Sequence, residues 1–134
     1  MTVNTKMSTP FALIIEDNAD IAFIAGEALK ESGYQAEIIG TGQEAQARLA
    51  FETPDLILLD LHLPFLDGEV ILRQIKNNAR LLKTKVIVST GDPRAAQALQ
   101  DEADFVFIKP ISYEQLRDLA ARLNPILREK NRPE

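Results

Sequence analysis

Four short apolar runs in this chain each stop at polar residues, and longer segments of helical periodicity separate them. Phe11–Ile15 stops at Glu16 and Asp17, and Leu56–Leu59 at Asp60. Val86–Val88 leads to Thr90, and Phe105–Ile108 stops at Lys109. Runs this short and continuous read as strands buried on both faces, the pattern of a parallel sheet covered by helices. Tyr34–Ile39 alternates polar and apolar residues instead and reads as an edge strand. Between the runs, Ile21, Ile24, Ala25, Ala28 and Leu29 form one stripe at helical spacing, with Gly33 as its stop. Val70, Ile71, Gln74 and Ile75 form a second stripe behind Asp67 as N-cap. Leu116, Leu119, Ala120 and Leu123 form a third, opened by Ser112–Gln115 in capping-box form. Residues 43–50 and 93–100 are shorter helical candidates. Strand and helix alternate five times, so the expected fold is α/β with a doubly wound sheet and right-handed crossovers.

At 134 residues, 46% of them hydrophobic, the chain has length for one domain with a real core and no more. Residues 10–124 carry the strand and helix pattern. Residues 1–9 read as a flexible arm and 125–134 as a loose charged tail. The net charge of −5 argues against nucleic acid as a partner. Cysteine is absent, which excludes disulfides and zinc-thiolate sites and fits a reducing cytoplasm. No apolar stretch reaches signal-peptide or membrane-spanning form, so no membrane association is expected.

In open α/β sheets, ligands collect at the carboxyl ends of the strands, where Glu16, Asp17, Asp60, Thr90 and Lys109 all fall. Carboxylates ending these strands are expected to face solvent at the sheet edge. Three of them brought together repel, and a hard divalent cation relieves the repulsion. Oxygen ligands favour Mg2+, or Mn2+ in its place. Lys109 and Thr90 supply an ammonium and a hydroxyl suited to phosphoryl oxygens, and Gly91 leaves room for a bulky anion. The chemistry this set suits is magnesium-assisted phosphoryl transfer to or from an aspartate. Each residue alone has a plainer reading. Glu16 and Asp17 match an acid pair at a helix N-terminus, His62 a solvated loop histidine, and Lys109 a surface lysine.

Taken together, the residues resemble the receiver domain of two-component response regulators. The matching pieces are Leu13–Asn18, Asp60 with Pro64 and Gly68, Val88–Gly91 and Phe107–Pro110, in the family's order and spacing. The resemblance implies a flavodoxin-like (βα)5 fold with a five-stranded parallel sheet of order 2-1-3-4-5. It implies Asp60 as phosphoacceptor from a phosphohistidine on a sensor histidine kinase or histidine phosphotransfer protein. Asp17 would be a direct magnesium ligand, Glu16 one acting partly through water, and His62 one through its backbone carbonyl. Lys109 would pair with the phosphoryl group, preceding a cis bond to Pro110, and Thr90 would close onto a phosphoryl oxygen. His62, Gly91 and Asp92 would tune the lifetime of the acyl phosphate. Such a domain is a phosphoacceptor switch, acting on itself and not a turnover enzyme. Reading no effector domain after residue 124, the chain is expected to control a protein partner through the fourth helix, fifth strand and fifth helix, or to pass the phosphoryl group on in a relay. Val106 stands where the family usually has an aromatic residue, which leaves a phosphorylation-independent docking receiver as an alternative. A small aspartyl phosphatase of the haloacid dehalogenase type would need a second acid where this chain has His62.

Overall fold

The computed structural model describes residues 9–130. Five strands, β1 (Phe11–Ile15), β2 (Gln35–Ile39), β3 (Leu56–Asp60), β4 (Lys85–Thr90) and β5 (Phe105–Ile108), form one parallel sheet of order β2-β1-β3-β4-β5. Among the described residues, six α-helices lie between and after them, with one 3-10 turn (Ala79–Leu81): α1 (Ala19–Glu31), α2 (Gly42–Leu49), α3 (Gly68–Lys76), α4 (Pro93–Ala98), α5 (Tyr113–Leu123) and α6 (Pro125–Lys130). Strand order reverses between β1 and β3, so their carboxyl ends open a crevice there.

Alternation along the central strands gives each sheet face its own core. Leu13, Ile15, Ile57, Leu59, Val86 and Val88 pack against Ala45 of α2 and Ile71, Leu72 and Ile75 of α3. Ala12, Ile14, Leu56, Leu58 and Ile87 pack against Ala25, Ala28 and Leu29 of α1 and Leu116, Leu119 and Ala120 of α5. Each helix begins at a polar cap that takes up a free N–H. Asn18 accepts from Ile21, Thr41 from Glu44, Asp67 from Glu69, Asp92 from Arg94 and Ser112 from Gln115.

Four expectations change. The run Phe105–Ile108 is the second edge strand and not a doubly buried one: β5 pairs with β4 alone, and Phe105 and Ile108 are exposed. In α1 the buried face is Ala22, Ala25, Ala28 and Leu29, while Ile21 and Ile24 point outward. In α3 Leu72 is buried and Val70 exposed. Residues 125–130 form α6 in place of a loose tail. The side-chain oxygen of Asn124 accepts from the N–H of Ile126 (2.9 Å) and Leu127 (3.2 Å), and its amide donates to the carbonyl of Ser32 (3.0 Å). Asn124 therefore caps α6 and ties it to the end of α1; Pro125 fits the first helical position. The expected arm, apart from residue 9, lies outside the described residues, as do residues 131–134. No helix among the described residues is long and apolar enough to cross a membrane.

Candidate functional site

The crevice gathers side chains from the ends of β1, β3, β4 and β5. Among the described residues, Glu16, Asp17 and Asp60 form a cluster whose carboxylate oxygens lie within 4.8 Å of one another. Asp60 and Glu16 are 2% and 4% exposed, so these two do not face solvent as expected; Asp17 does. Leu61 and Leu63 in the turn after β3 are buried as well, and Lys109, whose side chain is 24% exposed, lies against both buried acids. That turn closes through the Gly68 N–H, which donates to the Leu61 carbonyl at 3.1 Å. A β-carbon on Gly68 would lie 2.6 Å from the Leu61 Cα and 2.7 Å from the Asp60 carbonyl oxygen, so only glycine fits.

Lys109 bridges the two buried acids. Its Nζ lies 3.2 Å from Asp60 Oδ1 and 3.4 Å from Glu16 Oε1. The backbone N–H of His62 donates to Asp60 Oδ1 at 3.0 Å, and that of Asn18 to Glu16 Oε2 at 3.1 Å. Three carboxylates around one ammonium leave the cluster negative. Burial pushes the Glu16 carboxyl above its ordinary value; the Asn18 N–H opposes this, Asp60's charge adds to it and Lys109 opposes it. For Lys109, burial alone would depress the ammonium. Its bonds and charge interactions with Asp60 and Glu16 outweigh this and hold it above the ordinary lysine range.

Thr90 ends β4 fully buried. Its hydroxyl lies 2.9 Å from His62 Nε2 and accepts from the Asp92 N–H at 3.0 Å. Next to it, a β-carbon on Gly91 would meet nothing within 4 Å, so that side of the crevice is open. The Lys109–Pro110 peptide bond is cis. Val106 is partly buried against the same core as Val88 and Ala95. The structure thus brings Glu16, Asp17, Asp60, His62, Thr90 and Lys109 to one crevice, with Gly91 and Asp92 at its rim and Val106 on the neighbouring strand.

The contact between His62 and Thr90 was not anticipated from the sequence. Its only signal is the pairing register, in which Asp60 stands opposite Ser89, so that residues just past each lie near one another. An apolar groove of about 450 Å³ adjoins the site. It runs from Glu16 and Lys109 between Ile21 and Ile24 of α1 and Ile111 and Tyr113 at the start of α5.

A carboxylate cluster of this size, made of oxygen donors with no thiol or imidazole nitrogen in it, fits a hard divalent cation such as magnesium. Fold and site together define a doubly wound α/β domain with a cation-competent acid cluster at its switch point. The family follows from comparison: residues 12–121 match the response regulator receiver domain, and the chain belongs to that family, which serves two-component signalling. Family members generally bind Mg2+ and interact with histidine kinases or phosphotransfer proteins. The chain is similar to the DNA-binding transcriptional regulator NtrC of Salmonella typhimurium, 27% identical over 121 residues, which are 90% of this chain but 26% of that protein. It therefore spans about a quarter of that relative's length. It is also similar to sporulation initiation phosphotransferase F of Bacillus subtilis, 27% identical over 85% of this chain and 93% of that one. Among solved structures, the signal receiver domain of a signal transduction histidine kinase from Syntrophus aciditrophicus superposes with a TM-score of 0.77. It is 33% identical, covering 93% of this chain and 95% of that one.

Proposed function

We propose that Asp60 accepts a phosphoryl group from a phosphohistidine donor and that the acyl phosphate switches the domain. The observation that carries this reading is the setting of the Asp60 carboxylate. It is buried and oriented by the His62 N–H and Lys109, with Glu16 and Asp17 beside it. The free carboxylate oxygen attacks phosphorus, the P–N bond breaks, and the imidazole of the donor leaves with the electron pair. Glu16, Asp17, Asp60 and the His62 carbonyl would hold Mg2+, which when bound supplies the charge that offsets the incoming phosphoryl oxygens. Lys109 moves its contact from carboxylate to phosphoryl oxygen, and Thr90 turns its hydroxyl to donate to another. His62, Gly91 and Asp92 bound the route of the hydrolytic water and so set the lifetime of the acyl phosphate.

The switch acts by differential contacts: the phosphoryl group favours the state in which Thr90 reaches it. Thr90 accepts from the Asp92 N–H, and Asp92 caps α4, so movement of Thr90 pulls on α4 directly. Output then passes through the face of α4, β5 and α5, with Arg94, Gln97, Glu114, Arg117 and Asp118 as contacts for a protein partner in the cytoplasm. The name of the Bacillus relative, a phosphotransferase, supports onward transfer in a relay as the use of the phosphoryl group.

Incubation with phosphoramidate is expected to add one phosphoryl group by intact mass, only when magnesium is present. A folded protein that gains no mass from phosphoramidate or from a phosphorylated kinase sinks this reading in favour of a docking receiver. Val106 is half-buried and off the crevice, so Val106→Tyr is expected to leave uptake within about twofold of wild type, a surface-scale effect. A collapse of uptake in that variant would show that β5 participates in the chemistry.

A further inference from the structure

We infer that the His62 imidazole is a positioning residue that holds Thr90 away from the phosphoryl group and so sets the threshold of the switch. This rests on Asp60 being the phosphoacceptor. Along β3 and β4, Asp60 continues the sheet face of Leu56 and Leu58, whereas Thr90 continues the opposite face of Val86 and Val88. To serve a phosphoryl group on Asp60, the Thr90 hydroxyl must turn from its own face toward the other. It is not free to do so. A hydroxyl has one proton and two acceptor positions, and Thr90 spends one acceptor on the Asp92 N–H at 3.0 Å. The imidazole at 2.9 Å takes either the proton or the second acceptor position. In the first case the donor that the phosphoryl group needs is already used. In the second, two N–H donors pin the oxygen where it is. Both arrangements make His62 and the phosphoryl group competitors for one buried hydroxyl.

The competitor sits in an informative place. His62 is exposed, and its own backbone N–H bonds Asp60. The same residue therefore orients the acceptor with its main chain and restrains the responder with its ring. Removing the ring leaves the first contact and deletes the second. Thr90 then turns against one bond fewer, and ligands that select the turned state bind more tightly.

The test is titration of the full chain with beryllofluoride and magnesium, followed by 19F NMR. Wild type is expected to bind, and Asp60→Asn not to. His62→Ala should bind about fivefold more tightly, the factor a single neutral hydrogen bond is worth. His62→Gln, whose amide reaches the position of Nε2, should return to wild-type affinity. In a Thr90→Ala background, His62→Ala should change nothing, which a general effect on loop packing would not reproduce. Affinity in His62→Ala equal to or below that of wild type overturns the inference, as does a gain that persists without Thr90. Failure of wild type to bind at all overturns the acceptor reading itself and the inference with it.

Discussion

Asp60→Asn is expected to abolish phosphoryl uptake completely while leaving the protein folded. The substitution is isosteric, and the amide oxygen still accepts from the His62 N–H and from Lys109. What it lacks is a carboxylate able to form an acyl phosphate. It also removes one of the three negative charges in the cluster. Magnesium affinity should fall at least about tenfold, since even groups outside the ligand shell are worth that much at metal sites. The apo protein, by contrast, should melt no lower than wild type. Glu16 explains why. Its carboxyl binds a proton more tightly in the folded protein than at its ordinary value of 4.5, first through burial and in part through the charge of Asp60. In the window above 4.5 the native state therefore holds more protons than the unfolded chain, and this group lowers stability as pH rises through its raised value. Asp60→Asn should flatten that slope. Intact mass and thermal melts between pH 5 and 8 check the two halves. Residual uptake by the variant would place the acceptor elsewhere.

The positions of these side chains were legible because an apolar run records where a strand leaves the core, and whatever follows it lies at the sheet's end. Asp60, Thr90 and Lys109 are read this way without knowledge of the loops. Their burial is not. Lys109 reaches Asp60 at the end of β3 and Glu16 at the end of β1 from the far edge of the sheet. Those contacts exist only once strands distant in sequence lie side by side. Edge status is equally non-local: Phe105–Ile108 has the composition of a central strand, and only the lack of a second neighbour makes it an edge.

Helix faces were misread for a different reason. Periodicity marks a broad stripe, and hydropathy favours the larger members. The α1 stripe therefore takes in Ile21 and Ile24 beside Ala25 and Ala28 and leaves out Ala22. Yet α1 packs on both the sheet and α5, and Ala22, Ala25 and Ala28 permit that close approach. Ile21 and Ile24 are turned instead toward the groove beside Lys109. In α6 the local signal was present. Asn124 followed by Pro125 is a cap and first-turn pair, but the charged residues after it give the segment the composition of a loose tail.

Lys109→Met tests the electrostatics of the cluster with the apolar stem of the side chain retained. Asp60 and Glu16 would then share a buried site with no cation between them. Breaking a buried ion pair costs about 3–5 kcal/mol. The Lys109 side chain is 24% exposed, and partial solvent screening brings the expectation down to about 2 kcal/mol. In a chain of this size that corresponds to a melting point roughly 5–10 °C lower at neutral pH without magnesium. The deficit has two expected remedies of opposite chemistry. Magnesium supplies the missing charge, so its stabilising effect should be larger in the variant than in wild type. Acid neutralises one partner. With Lys109 gone the proton affinity of Glu16 rises further, so the deficit should shrink as pH falls through that raised value. At the alkaline end the sign also follows from the fold. Lys109 is held above its ordinary value of 10.5 when folded, so its contribution is fully present below 10.5 and is lost as pH rises through the raised value. The two proteins should therefore converge at both extremes and differ most between them. A uniform difference across the whole range, unaffected by magnesium, would mean that the lysine acts by packing, and that the acids at the ends of β1 and β3 do not depend on its charge.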